Sequence, residues 1–375
     1  MRKYMLLNVL RENKVIIFGA GKQGKLINKI LKQYSIDTEY FCDNDVRKQN
    51  TVIDDVRCIS YEDLKNDTNV LVIVSMAKES DEVYKQLISD GFKKLLEYSD
   101  IDRCFRNEVI NYQDYDYLKV NRKFENIHKG KRCFILGSGP SINNQDLSLL
   151  KNEITFTVNF ANKIKQFSDI NTNYHVFADP AIFKIEDSEL ISDIRNISGY
   201  SSKVECFMPY NQETISFSKR VFEKINNVSV NYFEMYDYDD LISCDLTKPI
   251  NVLDTVVQYA ILLAIYMGFN EIYILGCECT DIVGLIKAYE QEKVKESNYA
   301  YSMSESYKNF LKGIANKEGF EAAFRSRMLC FKYYKKLAQY CEENGIIFRN
   351  CTEGGILDCV QRAKYEDIII NKKVD

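Results

Sequence analysis

Tryptophan is absent from the 375-residue chain, proline occurs four times and histidine twice, at His128 and His175. The scarcity of histidine limits the chemistry. A histidine-rich metal centre has too few ligands, and nothing beyond His175 can act as an imidazole base. The twelve cysteines are scattered with no CxxC pair. That spacing argues against a zinc site or a disulfide framework, so no metal is assigned, and it suits a reducing cytoplasm. Charge is nearly balanced, Lys+Arg 50 against Asp+Glu 54, with no long basic run. Neither a nucleic-acid surface nor an anionic-membrane surface is expected. The longest apolar segment, Val252 to Met267, carries Asp254, Thr255 and Gln258 and falls short of the ~20 residues a membrane span needs. No transmembrane segment is expected, and the short apolar patch before Asn13 is too small for a signal peptide.

What is present is 46% hydrophobic residue content and two apolar runs that each end in a glycine turn. The first, Val15 to Phe18, leads into Gly19-Ala20-Gly21-Lys22-Gln23-Gly24 and an amphipathic stretch, the order strand, turn and helix of a dinucleotide fold. Asp43, at the end of a second strand, stands where an acid commonly holds a ribose hydroxyl. Gly19, Gly21, Gly24 and Asp43 are therefore candidates for an N-terminal nucleotide site, the alternative being a docking or regulatory module that keeps only the fold.

The second run, Arg132 to Leu136, enters Gly137-Ser138-Gly139-Pro140-Ser141. Four apolar residues without alternation predict a strand covered on both faces. The glycines would let backbone approach a ligand, and Pro140 and Ser141 suit the first turn of a helix whose free N–H groups attract phosphate. A helix is predicted over 144–150 and another over 251–267. Further apolar runs stop at Asn159, at Asp179, at Asn211 and at Glu278 to Asp281, and ligands in open α/β sheets sit beyond such strand ends. Asn350, Thr352, Gly354 and Gly355 form a late glycine turn, either a ligand-facing backbone or a plain reversal. The expected architecture is α/β, two Rossmann-like parallel-sheet domains in series. They are a small domain at 1–100, a connector at 101–130 and a larger domain at 131–375 whose insertion near 282–318 is lid-like.

The order GSGPS, VNF, FADP, IYMGFNEIYILG and NCTEGGILD resembles a family of motility accessory factors and 6-hydroxymethylpterin pyrophosphokinase-like proteins. It is similar, more distantly, to small metal-independent bacterial sialyltransferases. Residues 14–98 resemble a Rossmann module found fused to sugar-modifying enzymes. The resemblance implies that Gly137, Ser138, Gly139, Pro140, Ser141, Asn159 and Thr255 hold a CMP-type donor, with Asp179 standing where an asparagine is usual. It departs at the late histidine base, absent here, and at the tyrosine that helps the nucleotide leave, replaced by Thr280. Glu278 or Asp281 is then the expected base. Tyr299, Tyr301 or Tyr307 is expected to support the leaving phosphate, with Arg325 and Arg327 as clamps.

The implied function is a cytoplasmic bacterial glycosyltransferase that needs no cofactor and moves a CMP-activated nonulosonate from its nucleotide-sugar donor to a surface glycan or glycoprotein. The rivals are a pyrophosphokinase using ATP and Mg²⁺, and an inactive nucleotide-binding assembly protein. Homo-oligomerisation is left open.

Overall fold

The computed structural model describes residues 3–76, 80–105, 108–110, 115–236, 242–283, 286, 299–301 and 320–370. It divides into two compact units, Met1–Asp114 and Tyr115–Asp375. Both are α/β with mainly parallel sheets.

The first unit runs α1 (Lys3–Arg11), β1 (Val15–Phe18), α2 (Lys22–Gln33), β2 (Thr38–Cys42), β3 (Val52–Ile53), β4 (Val56–Ile59), α3 (Tyr61–Leu64), β5 (Leu71–Val74), α4 (Ser80–Ser89), β6 (Lys94–Glu97) and α5 (Tyr98–Cys104). Its sheet order is β3-β4-β2-β1-β5-β6, parallel except for the β3–β4 pair. Val15 and Ile17 face one core while Ile16 and Phe18 face the other, which is why β1 reads as an unbroken apolar run.

The second unit runs β7 (Arg132–Leu136), β8 (Ile154–Val158), β9 (Tyr174–Val176), α6 (Pro180–Phe183), α7 (Ser188–Arg195), β10 (Val204–Pro209), α8 (Gln212–Phe222), β11 (Val228–Phe233), β12 (Met235–Tyr236), β13 (Ile250–Asn251), α9 (Val256–Tyr266), β14 (Glu271–Leu275), α10 (Phe320–Glu343), β15 (Ile347–Asn350) and α11 (Tyr365–Ile370). The seven-stranded sheet has the order β11-β10-β9-β8-β7-β14-β15 and is parallel throughout. Cys133 and Ile135 face one core and Phe134 and Leu136 the other, repeating the logic of β1. The order reverses at β7, with β8 on one side and β14 on the other, so a crevice opens beyond Leu136 and Leu275.

Two predicted helices differ. Residues 144–150 form no α-helix: 3₁₀ turns cover Pro140–Asn144 and Leu147–Leu150, separated by the extended Gln145, and the Asp146 carboxylate accepts from Ser148 N–H. The helix expected from 251 begins at Val256, because Asn251 pairs in β13 and Gln258 Oε1 accepts the N–H groups of Asp254 and Thr255. All its residues from Val257 onward are buried, as befits a helix that is apolar all round. No helix among the described residues is long and apolar enough to cross a membrane.

Each unit carries cores on both faces of its own sheet. Residues 115–375 expressed alone are therefore expected to stay in solution and melt in one cooperative step by calorimetry. Aggregation of that fragment beside a well-behaved full-length chain would show that the two sheets share one folding unit.

Candidate functional site

Three segments meet in the crevice of the larger unit: 137–141 after β7, 276–281 after β14, and 351–356 after β15. Glu278 is where they join. It is buried, its Oε1 accepts the Ser141 N–H at 2.6 Å, and its backbone carbonyl accepts the Ile356 N–H at 2.8 Å. Glycine is required on both sides of it. A Cβ on Gly139 would lie 1.4 Å from Glu278 Oε2, and one on Gly355 would lie 2.6 Å from Glu278 Cα. Gly355 is also left-handed, at φ 79°.

Three amides of the loop expected to offer free N–H groups to a phosphate have partners within the protein. Gly137 N–H donates to Leu275 O, Gly139 N–H to Gly276 O and Ser141 N–H to Glu278. The short 3₁₀ turn at Pro140–Asn144 takes the place of the expected helix start. Gly137 is needed for close packing, since its Cβ would meet Gly276 O at 2.4 Å.

Around this seat lies a cavity of about 210 Å³ lined by Gly137, Ser138, Gly139, Pro140, Thr255, Glu278, Asp281, Tyr299 and Arg327, with Cys277, Cys279, Cys330 and Tyr334 among its other walls. Arg327 Nε stands 2.7 Å from Asp281 Oδ2, and Nη1 is 3.9 Å from Asp254 Oδ2. Burial pushes the Asp254 carboxyl up, with Ser326 and Arg327 opposing. Tyr299 and Tyr301 stack with centroids 5.2 Å apart and planes 1° from parallel. Between them Ala300 N–H donates to Ser138 O at 2.8 Å, and the Tyr301 hydroxyl, its pKa raised by burial, bonds Ser138.

Other expected site residues hold the architecture. Asn211 caps α8, its Oδ1 accepting the Thr214 N–H at 2.9 Å. Asp179 caps α6 through Ala181 N–H, and burial raises its carboxyl pKa. Asn350 Oδ1 accepts from Thr352 N–H, while Thr352 Oγ1 accepts from Cys277 N–H. Gly354 O accepts from Arg362 Nη1, which ties the late glycine turn to the segment that bridges Asn350. Asn159, just past β8, is left-handed at φ 48°. Arg325 pairs with Glu321 on the exposed face of α10. Tyr307 and most of the expected lid at 282–318 lie outside the described residues.

The sequence reading missed Cys330 and Tyr334. With Arg327 they recur at the i, i+3, i+7 spacing of one helix face, a signal that could have drawn them in.

In the smaller unit, a cavity of about 420 Å³ is lined by Gly19, Gly21, Lys22, Asp43, Asn44, Lys48 and Ser75. Gly24 stands back from it, packed so closely that a Cβ would meet Gly19 O at 1.9 Å. Both Asp43 oxygens have protein donors: Oδ2 accepts from Ala20 N–H at 2.8 Å and Lys48 Nζ at 2.7 Å, and Oδ1 from Asp45 N–H at 2.9 Å. Burial alone would raise this carboxyl, but Lys48 and the two amides hold it below the usual carboxylate range. Its stabilisation is therefore present above about pH 4 and is lost as the pH falls through the lowered folded value. Urea titrations from neutrality into acid are expected to show a declining midpoint for the first unit and a flatter profile for Asp43→Asn. Identical acid limbs would remove Asp43 from that balance.

The sequence model of the 6-hydroxymethylpterin diphosphokinase MptE-like family matches residues 106–283, and that of the C2185-like N-terminal family matches residues 11–95. Among curated proteins none matches. A solved structure of the sialyltransferase CST-II in complex with a trisaccharide acceptor and CMP is similar at 18% identity, covering 62% of this chain and 85% of that one, with a TM-score of 0.34. Residues 106–283 are thus similar to the MptE-like family, and that stretch contains the GSGPS, VNF, FADP and IYMGFNEIYILG motifs.

Proposed function

We propose that the larger unit is a transferase that moves a sugar, in the first instance a CMP-activated nonulosonate, onto a hydroxyl of a bacterial glycan or glycoprotein. The family match supports the coarser reading, a transferase-like enzyme. The observation that carries the finer one is the seat of Glu278, a carboxylate with one oxygen fixed by Ser141 N–H in a cavity that also presents Arg327 and Tyr299.

Such a transfer needs a base for the acceptor hydroxyl and positive or hydrogen-bonding groups for the departing phosphate. Glu278 takes the hydroxyl proton as the acceptor oxygen bonds to the anomeric carbon. The bond from that carbon to the phosphate oxygen breaks, and CMP departs with its charge met by Arg327 and by the Tyr299 hydroxyl, whose ring Tyr301 braces. Thr255 and the strand ends at Asn159 and Asp179 hold the rest of the donor.

The description of the matched family favours a second reading, pyrophosphoryl transfer from ATP to a pterin with Mg²⁺. Magnesium is usually held by one or two carboxylates together with waters and substrate phosphates. Here Asp179 Oδ1 caps α6, Glu278 Oε1 accepts from Ser141, and Asp281 has the Arg327 guanidinium as its counter-cation. Each acid thus has one oxygen engaged within the protein, and no group of three or more metal-ligating side chains is gathered among the described residues.

Thermal-shift screening with CMP, CDP, UDP, ATP and NAD, each with and without Mg²⁺, tests the assignment. CMP is expected to stabilise the protein without metal. Stabilisation by Mg-ATP alone would transfer the assignment to the second reading, and no response to any nucleotide would remove both.

A further inference from the structure

His175 lies in the middle of the sheet with no exposed surface, away from the cavity that Glu278 occupies. It is the register partner of Thr157 across β8 and β9, and Thr157 is equally buried. Thr157 Oγ1 is 2.7 Å from His175 Nδ1, and His175 Nε2 is 3.0 Å from the backbone carbonyl of Asn159. A carbonyl can only accept, so the ring proton sits on Nε2. Nδ1 is then the acceptor, and Thr157 donates to it. Burial pushes the imidazole down to about 3, against the opposing pull of the Asn159 carbonyl, so the ring stays neutral in this one tautomer across the physiological range.

Asn159 is held from both sides. Its N–H donates to Val176 O at 3.1 Å, its carbonyl accepts from His175, and between them φ is 48°. Asparagine tolerates that conformation better than most residues, but it does not choose it unaided. The side-chain Oδ1 is buried and finds no hydrogen-bond partner among the described residues. A buried amide oxygen without a partner, at the carboxyl end of a strand beside the glycine turn, is suited to an amino or hydroxyl group of a ligand.

We propose that His175 is a positioning residue: oriented by Thr157, it locks the backbone of Asn159 in the left-handed conformation and so aims the Asn159 amide at an amino or hydroxyl group of the donor nucleotide. The inference rests on the nucleotide reading of this site.

The test uses three variants of the full-length chain, CMP calorimetry and the backbone angle of residue 159 in crystal structures. His175→Gln places an amide N–H where Nε2 was and is expected to keep CMP affinity. His175→Asn reaches only as far as Nδ1, and Thr157→Val removes the hydrogen bond that orients the ring. Both are expected to weaken CMP binding by about tenfold or more, with residue 159 leaving the left-handed region.

A merely structural histidine would make His175→Gln and His175→Asn equally harmful to melting temperature and leave the affinity of the folded fraction untouched, which overturns the proposal. If His175→Asn proves too unstable to handle, Thr157→Val, nearly the same shape as the native residue, decides alone. Should the wild type bind no CMP, the nucleotide reading falls by itself. The angle at residue 159 in Thr157→Val then still decides whether His175 sets that backbone: a positive φ overturns the claim, and a lost one sustains it.

Discussion

Replacing Gly139 by alanine is expected to reduce turnover to near that of a Glu278→Ala variant, and combining the two changes should cost less than the sum of the two. The backbone is not the obstacle, since Gly139 has φ −72° and ψ 151°, which any residue adopts. The nearest obstacle is the carboxylate, 1.4 Å from where the Cβ would stand, with Gly276 O at 2.7 Å as a second. It must swing away, and Ser141 N–H loses its 2.6 Å acceptor inside the protein, a loss of about 1–3 kcal/mol. Melting temperature should therefore fall with activity. A double-mutant cycle separates the two contacts: in a Glu278→Ala background only the 2.7 Å approach to Gly276 O remains, so the methyl group should affect turnover less than it does in the native background. Native turnover and native melting in Gly139→Ala would show that Glu278 is not held where the structure has it.

Glu278→Gln is the complementary change. The amide keeps the length and shape of the side chain, and its oxygen can still accept from Ser141 N–H, so the seat survives. What disappears is the ability to take a proton from the acceptor. Turnover measured in a single cycle is expected to drop by about 10²–10⁴, with donor affinity and melting temperature close to native. If instead melting falls and the rate per folded molecule holds, Glu278 serves as a cap for the 137–141 loop and the base must be sought elsewhere.

The strands were legible because burial on both faces leaves an unmistakable mark. Cys133 to Leu136 and Ile272 to Leu275 show no alternation, and each residue does face one of two cores. The glycine turns were legible as turns, but the reason for their glycines was not. Gly137 and Gly139 read as room for a phosphate, whereas the space beside them is filled by Gly276 O and the Glu278 carboxylate. That contact exists only because Leu136 and Leu275 are register partners, and no local pattern encodes which distant strand will lie alongside β7. Asn211 and Asp179 read only as acceptors for a ligand, whereas an acceptor at a strand end can also cap the helix that follows, and both do so through Oδ1.

The strand order β11-β10-β9-β8-β7-β14-β15 also fixes a sequence of events as the chain is made. The five strands from β7 to β11 can assemble among themselves soon after residue 233 is available, yet β7, apolar on both faces, then forms their open edge. Its second neighbour is β14, which pairs Glu271 with Arg132 only after α9 has been synthesised. Until then the nascent sheet offers an unpaired, hydrophobic ladder to any other strand nearby. The segment on which the candidate site depends is thus also open to mispairing during synthesis, and Glu278 can reach Ser141 only once that edge has closed.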